Sequence, residues 1–176
     1  MVLALLIGVR IQDLGRIDLR APWAFIAAAL AEGGLAYATY QGLLSPSLSG
    51  PLAKTLVVGF VGYGIYANRG LKSLWLVLTG LGLNLAVMAA NGGHMPVSAT
   101  ALQAAGIGHW VPLLETTRDG VHTLLTPTTP LGFLGDTIPL SFMRKVISPG
   151  DVFILLGIIG VVVEGGLRAK KTRLQA

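Results

Sequence analysis

Long apolar stretches separated by polar connectors are the main pattern of this sequence. Residues 22–41, 52–67, 71–90 and 151–167 are predominantly apolar. At about 1.5 Å of rise per helical residue, each covers most or all of a hydrocarbon core of about 30 Å. Residues 1–12 begin with an apolar run that covers about half of such a core. The pattern predicts four full membrane-spanning helices preceded by a short N-terminal helix.

Local signals mark several helix ends. Pro22 and Pro51 suit the first turn of a helix, where the missing N–H costs nothing. Ser98 can cap a short helix that stops at Gly106. Asp151 is a candidate N-cap for the last apolar stretch.

The connector over residues 91–150 contains all three histidines and three of the five aspartates. Loops longer than about 12–15 residues without structure are uncommon and are usually functional. Its apolar pieces also need cover. We therefore expect an ordered outer lid of short interfacial or re-entrant helices. The predicted fold is an all-α integral membrane helical bundle, with residues 1–176 forming one domain.

Composition and charge agree with a membrane environment. Charged residues make up 12% of the chain, compared with roughly 25% in soluble domains. The net charge is +5, and nine of the thirteen basic residues lie in three groups at the ends of apolar stretches. These groups are Arg10, Arg16 and Arg20; Arg69 and Lys72; and Arg168, Lys170, Lys171 and Arg173. The positive-inside rule then places residues 91–150 outside and the C-terminal tail in the cytoplasm, and nucleic acid is not an expected partner.

Two polar side chains lie in the middle of predicted spans. Glu32 is in the second span and Asn84 is in the fourth. A charged carboxylate at that depth is costly, so Glu32 either forms part of a proton or substrate path or is neutral and bonded to Asn84 or to a backbone carbonyl. Glu164 is four residues before Arg168, which predicts an ion pair within one helix.

A glycine turn follows the fourth span. Gly92 and Gly93 permit positive φ, so the turn from Asn91 can place His94 against the membrane just before Pro96. The alternative is an ordinary helix C-cap followed by proline. Both interpretations stay open at this point.

Asp136 and Asp151 are the candidate catalytic residues. Each has a structural alternative, in the turn before Pro139 and at a helix N-terminus respectively. If the two carboxyl groups are close, they can share a proton and act as an acid and a base.

The sequence predicts no metal site and specifies no cofactor. His94, His109 and His122 with an aspartate are suitable ligand types for zinc, but their spacing matches no metal-binding motif. The chain has no cysteine.

Three segments resemble a known family: NGGHMPVSATAL, LGDTIPL and VISPGDVFILLG. This family comprises small bacterial multi-pass membrane proteins and is called domain of unknown function 5317. The resemblance implies a membrane fold and a bacterial cytoplasmic membrane location, but no activity. The family pattern has a fuller first hydrophobic helix, so the natural N-terminus could lie upstream of Met1.

A second resemblance concerns the last apolar stretch. Residues 151–154 followed by Gly157 are similar to the segment of lipoprotein signal peptidases that carries one catalytic aspartate. This resemblance implies an aspartyl membrane hydrolase with Asp151 and Asp136 as its dyad. The Asn-x-x-Asp-Arg setting of the other catalytic aspartate in those enzymes is absent here.

The leading functional hypothesis is binding of a lipid, a small ligand or a partner subunit at the outer face, with a second copy of the chain as another possible partner. The predicted ligand-binding residues are Asn91, Gly92, Gly93, His94, Pro96, Asp136, Pro139 and Asp151. The alternatives are a membrane aspartyl hydrolase and a small transporter or proton path through Glu32 and Asn84.

Overall fold

The long apolar stretches of the sequence fold into helices in the computed structural model. It describes residues 19–115 and 121–175, and the predicted short helix over residues 1–12 lies outside them. The four long helices are α1 Pro22–Tyr40, α2 Pro46–Ala67, α3 Leu74–Ala90 and α6 Pro149–Gln175. Packing is concentrated in two pairs, α1 with α2 and α3 with α6, and a smaller contact joins α2 to α3.

Proline begins three of these helices. Pro22 opens α1, as predicted. The second helix starts at Pro46, directly after Ser45, so Pro51 lies inside α2. Pro46 supplies the same start signal five residues earlier, because its fixed φ is already helical and its missing N–H is at an end where no partner is needed.

The prediction of an all-α bundle with four full membrane spans is wrong. Within the described part of the chain, one stretch is long and apolar enough to cross a membrane, Pro149–Thr172 in α6, with 24 residues and a mean hydropathy of 2.0. The apolar parts of α2 and α3 are shorter, at Leu52–Ala67 and Leu74–Ala90. A helix of 17 residues extends only about 25 Å. In α1, Glu32 and the glycines and tyrosines around it lower the hydropathy.

Strands are the second departure from the all-α prediction. They form within residues 91–150 as β1 Met95–Val97, β2 His122–Leu124, β3 Ile138–Leu140 and β4 Lys145–Ile147. β1 pairs with β2 in parallel, and β3 pairs with β4 in antiparallel orientation. Valine, isoleucine and threonine favour extended backbone, and the prolines of β1 and β3 disfavour helix.

The predicted short helices of this region are also present. They are α4 Ala99–Ala104 and α5 Val111–Glu115. Single 3₁₀ turns occupy Gly108–Trp110, Gly132–Leu134 and Ser141–Met143. The Ser98 hydroxyl accepts a hydrogen bond from the Ala101 N–H, and Gly106 has a φ of 73° just after α4. Both ends of α4 are therefore where the sequence predicts them.

Glycine brings α3 and α6 into backbone contact. A methyl group at Gly80 would lie 2.9 Å from the Ile154 backbone nitrogen and closer still to the Gly150 carbonyl oxygen. Leu74 and Val77 of α3 are buried in an apolar cluster at the same interface. Gly82, by contrast, has no neighbour within 4 Å of where its Cβ would be.

We expect Gly80→Ala to destabilise the protein by about 1–3 kcal/mol, because the Gly150 and Ile154 backbone atoms it meets cannot move without separating the helices. Gly82→Ala is the matched control in the same helix and should be neutral or stabilising by up to about 1 kcal/mol. Thermal unfolding of both variants in one detergent measures the difference. Equal melting temperatures for the two variants would contradict this packing.

Candidate functional site

A cavity of about 290 Å³ lies between the long helices and the 91–150 region. Six polar or charged residues line it: Glu32, Lys54, Asn84, His122, Asp136 and Asp151. Its apolar wall includes Val57, Leu81, Leu85, Met88, Met95 and Ile154. Predicted site residues from three separate parts of the sequence therefore meet at one cavity.

Strand β1 positions Asp136. The Asp136 N–H donates to the Pro96 carbonyl at 2.8 Å, and the Ser98 N–H donates to the Asp136 carbonyl at 2.9 Å. Gly135 permits this approach, because a Cβ there would overlap the Pro96 carbonyl oxygen. The Asp136 backbone is thereby attached to β1, and its side chain lines the cavity.

His122 lies on β2, the strand that pairs with β1, and its side chain lines the same cavity. In the parallel register Met95 is opposite His122. The His122 Nε2 atom lies 4.0 Å from the Asp136 Oδ2 atom, and the Asp136 side chain is 13% exposed. The histidine is close enough for an electrostatic interaction with Asp136, but this distance is longer than a hydrogen bond.

Asp151 is held in a reciprocal capping arrangement. The Ser148 N–H donates to Asp151 Oδ2, and the Asp151 N–H donates to the Ser148 hydroxyl, each at 3.0 Å. Ser148 therefore occupies the cap position before Pro149, and Asp151 is the third helical residue. The prediction of Asp151 as N-cap is wrong by three residues, since Pro149 already begins the helix.

Asn84 ties this cap to α3. Its Nδ2 donates to Asp151 Oδ1 at 2.9 Å, and its Oδ1 accepts from the Ser148 hydroxyl at 2.8 Å. Ser148 is completely buried, so its hydroxyl needs such a partner. The network fixes the Asp151 carboxylate at the cavity wall.

The environment of the Asp136 carboxyl group shifts its titration toward neutral pH. Burial raises the pKa of Asp136 from 3.8 to about 6, the His122 charge opposes part of this rise, and the Asp151 charge adds to it. The described hydrogen bonds of Asp151 go to Asn84 and Ser148, and none joins it to the Asp136 carboxyl group. A hydrolytic role for the two aspartates stays a prediction.

Glu32 has a different partner from the one considered in the sequence. The Lys54 ammonium lies 2.5 Å from Glu32 Oε1, and the Glu32 side chain is 49% exposed. The alternative of a Glu32–Asn84 bond is therefore wrong. Both residues still line the cavity, Glu32 with Lys54 and Asn84 with Asp151.

The turn after α3 has a structural role. Asn91 is the C-cap residue, and its side-chain amide donates to the Val87 and Pro130 carbonyls. Gly92 and Gly93 have φ values of 65° and 90°, the positive φ that the sequence predicts. This arrangement matches the helix C-cap interpretation.

Three further predicted ligand-binding residues are not among those that line the cavity. His94 is half-buried after the C-cap turn, Pro96 is buried inside β1, and Pro139 is exposed on β3. The sequence analysis considers His122 only as a possible metal ligand and does not predict Ser148 as a site residue. The Ser-x-x-Asp spacing of a capping box was the signal for Ser148, whereas nothing local indicated that His122 would lie beside Asp136.

Within residues 19–115 and 121–175, no group of three histidine or acidic side chains could hold a metal ion. The polar groups that line the cavity are carboxylate, ammonium, amide and imidazole groups.

Because folding raises the pKa of Asp136 to about 6, the folded chain binds this proton more tightly than the unfolded chain. The resulting contribution to stability is full below the unfolded pKa of 3.8 and is lost as pH rises through about 6. We therefore expect the wild type to lose melting temperature relative to Asp136→Asn as pH rises from 3.8 through about 6. Glu115→Gln, at an exposed carboxylate on α5, is the control. A difference that is constant with pH would contradict the assignment.

Comparison with known proteins identifies a family and no activity. No curated protein and no solved structure matches this chain. The sequence model of DUF5317, described as a family of unknown function, matches residues 16–163, which include every residue that lines the cavity. The chain therefore belongs to the DUF5317 family, as its motifs around His94, Asp136 and Asp151 predict.

Proposed function

We propose that this protein is a membrane-bound binding protein whose cavity holds a small amphipathic molecule with a positively charged head. The observation that carries the proposal is the charge of the cavity wall. Three carboxylates, Glu32, Asp136 and Asp151, line it together with one ammonium, Lys54. The whole chain has a net charge of +5, so this acidic surface is a local feature.

The charge of Asp136 is the least compensated of the three. Glu32 is paired with Lys54, and Asp151 accepts hydrogen bonds from Asn84 and Ser148. Asp136 has His122 at 4.0 Å. A ligand ammonium beside Asp136 would replace the hydration lost on burial and lower its pKa again.

The apolar wall favours a short hydrocarbon group next to that cation. Met88 and Met95 are flexible and polarizable, and they adapt to ligands of different shape. A volume of about 290 Å³ is at the small end of ligand pockets. The cavity therefore suits a short-chain amine better than a two-chain lipid.

Helix α6 supports attachment to a membrane. The helix contains the candidate span Pro149–Thr172, and 17% of an apolar 18-residue window within it is buried by the rest of the described chain. Leu155, Leu156 and Ile158 are each more than half exposed. Exposed apolar surface of this kind marks a membrane or protein contact. Basic residues are concentrated at the C-terminal end of this span, at Arg168, Lys170, Lys171 and Arg173, which favours a cytoplasmic tail. The proposed location is the bacterial cytoplasmic membrane, with the cavity toward the outside.

We expect Thr128→Cys, in the 91–150 region, to react with an impermeant thiol reagent in intact cells, because that region lies on the outer side in this orientation. The control is Thr172→Cys at the opposite end of the α6 apolar stretch, which should react only after lysis. Because the natural chain has no cysteine, each label reports one position. The reverse pattern would overturn the orientation.

n-Octylamine is the probe for the cavity. At pH about 7.5 we expect it to bind the detergent-purified protein, and we expect octanoate, with the same chain and opposite charge, to bind at least about tenfold more weakly. Asp136→Asn should weaken octylamine binding about tenfold, because it removes the carboxylate that faces the ammonium. Isothermal titration against empty micelles measures each affinity.

His94→Ala is the control for this titration, because His94 is not among the residues that line the cavity. Its affinity for octylamine should equal that of the wild type. Equal binding of octylamine and octanoate, or unchanged octylamine binding in Asp136→Asn, would refute the cation-binding cavity.

A further inference from the structure

A second and larger cleft lies at the other end of α6. Its volume is about 490 Å³, and it is lined by residues from the α2–α3 turn, from the segment before α1 and from positions 165–172 of α6. Gly165 lies fourteen positions after Asp151, which is about 21 Å along a helix. The cleft is therefore separate from the acidic cavity.

Three arginines converge on this cleft from distant parts of the chain. Arg20 precedes α1, Arg69 follows α2, and Arg168 lies in the last turns of α6. No acidic residue is among the lining residues. The three basic groups that the sequence places at the ends of apolar stretches each contribute one arginine here.

The backbone beside two of these arginines is fixed by Asn68. Its Oδ1 accepts from the Arg20 N–H at 2.7 Å, and its Nδ2 donates to the Arg20 carbonyl at 2.6 Å and to the Gly64 carbonyl at 2.7 Å. Asn68 is buried, at 5% exposure. The two hydrogen bonds between Asn68 and the Arg20 backbone hold the segment before α1 against the end of α2, so Arg20 and Arg69 lie at one fixed edge.

Arg168 forms the opposite edge and is also held in place. Its guanidinium donates to the Gly70 carbonyl and, at 2.6 Å, to Glu164 Oε1. Glu164 in turn accepts from the Lys72 and Ser73 N–H groups. The predicted Glu164–Arg168 pair is confirmed, and it neutralises part of the charge on this side of the cleft.

The guanidinium groups of Arg20 and Arg69 remain available to a ligand. Among the described residues neither is paired with a carboxylate, and the Arg69 guanidinium lies over the Tyr66 ring at 5.4 Å from its centroid. Guanidinium groups present N–H donors in a planar fork that matches the oxygens of phosphate. Two uncompensated forks on a fixed edge make a concave anion site.

We propose that this cleft binds a phosphate group, as a monoester or diester, through Arg20 and Arg69, with Arg168 as the third wall. The same chemistry is available from the headgroup of an anionic phospholipid and from free phosphate. This assignment does not depend on the cation-binding cavity, since the two sites share no lining residue.

The test uses the full chain in neutral detergent and two probes. One probe is phosphatidylglycerol, with phosphatidylcholine as its zwitterionic reference. The other probe is inorganic phosphate. Native mass spectrometry measures lipid retention, and isothermal titration measures phosphate binding. We expect the wild type to retain phosphatidylglycerol over phosphatidylcholine, and the double variant Arg20→Gln/Arg69→Gln to lose that preference by about tenfold or more.

Two further variants distinguish a specific phosphate site from a general attraction of anionic lipid to positive charge. Lys171→Gln removes a charge from an exposed position outside the cleft lining and should leave the preference unchanged. Arg69→Lys keeps the charge but loses the fork, and it should give an intermediate affinity. It also provides a variant with conserved charge if the double variant does not fold.

The outcomes also identify the source of the phosphate. A lipid headgroup is supported if phosphatidylglycerol is retained in the presence of inorganic phosphate and if this retention is lost when Arg20 and Arg69 are replaced. Binding of inorganic phosphate with the same dependence supports free phosphate. Equal retention of both lipids without phosphate binding would overturn the proposal, and so would equal losses in Lys171→Gln and the arginine variants.

Discussion

The close contact between α3 and α6 is the constraint on which the rest of the structure depends. Gly80 and Gly150 meet there with no room for a side chain. Asn84, one turn further along α3, bonds both Asp151 and Ser148. Any separation of the two helices would break these bonds and leave the buried Ser148 hydroxyl without its acceptor. Packing and polar pairing therefore depend on the same interhelical distance, which also sets the position of one cavity wall.

Strand β1 supplies the opposite wall by a different means. It pairs with the strand that contains His122 on one side and bonds the Asp136 backbone on the other. Main-chain hydrogen bonds thus hold a largely buried carboxylate whose described charge partner is 4.0 Å away. An incompletely compensated charge of this kind costs stability in the empty protein. Under the proposed function, a cationic ligand beside Asp136 would compensate this charge.

Helix α6 separates two regions of opposite charge. Its first turn contributes Asp151 to the acidic cavity, and its last turns contribute Arg168 to the basic cleft. Both charges have the sign that the helix dipole favours at their ends. The part of α6 that is long enough to cross a bilayer, Pro149–Thr172, contains both residues, one near each end. Under the proposed orientation, a cation site and a phosphate site would therefore face opposite sides of one membrane.

The sequence by itself determined the features that involve neighbouring residues: the positions of the long helices, the Ser98 cap of α4, the glycine turn after α3, the Glu164–Arg168 pair and the family. Only the tertiary structure decided the strand pairing, the Lys54 partner of Glu32, and the meeting of His122 with Asp136. Asn84 and Asp151 are 67 positions apart, and such contacts depend on the path of the whole chain. The four-span prediction failed on length and composition. The apolar parts of α2 and α3, Leu52–Ala67 and Leu74–Ala90, are shorter than the roughly 20 residues that cross a hydrocarbon core, and Glu32 lowers the hydropathy of α1.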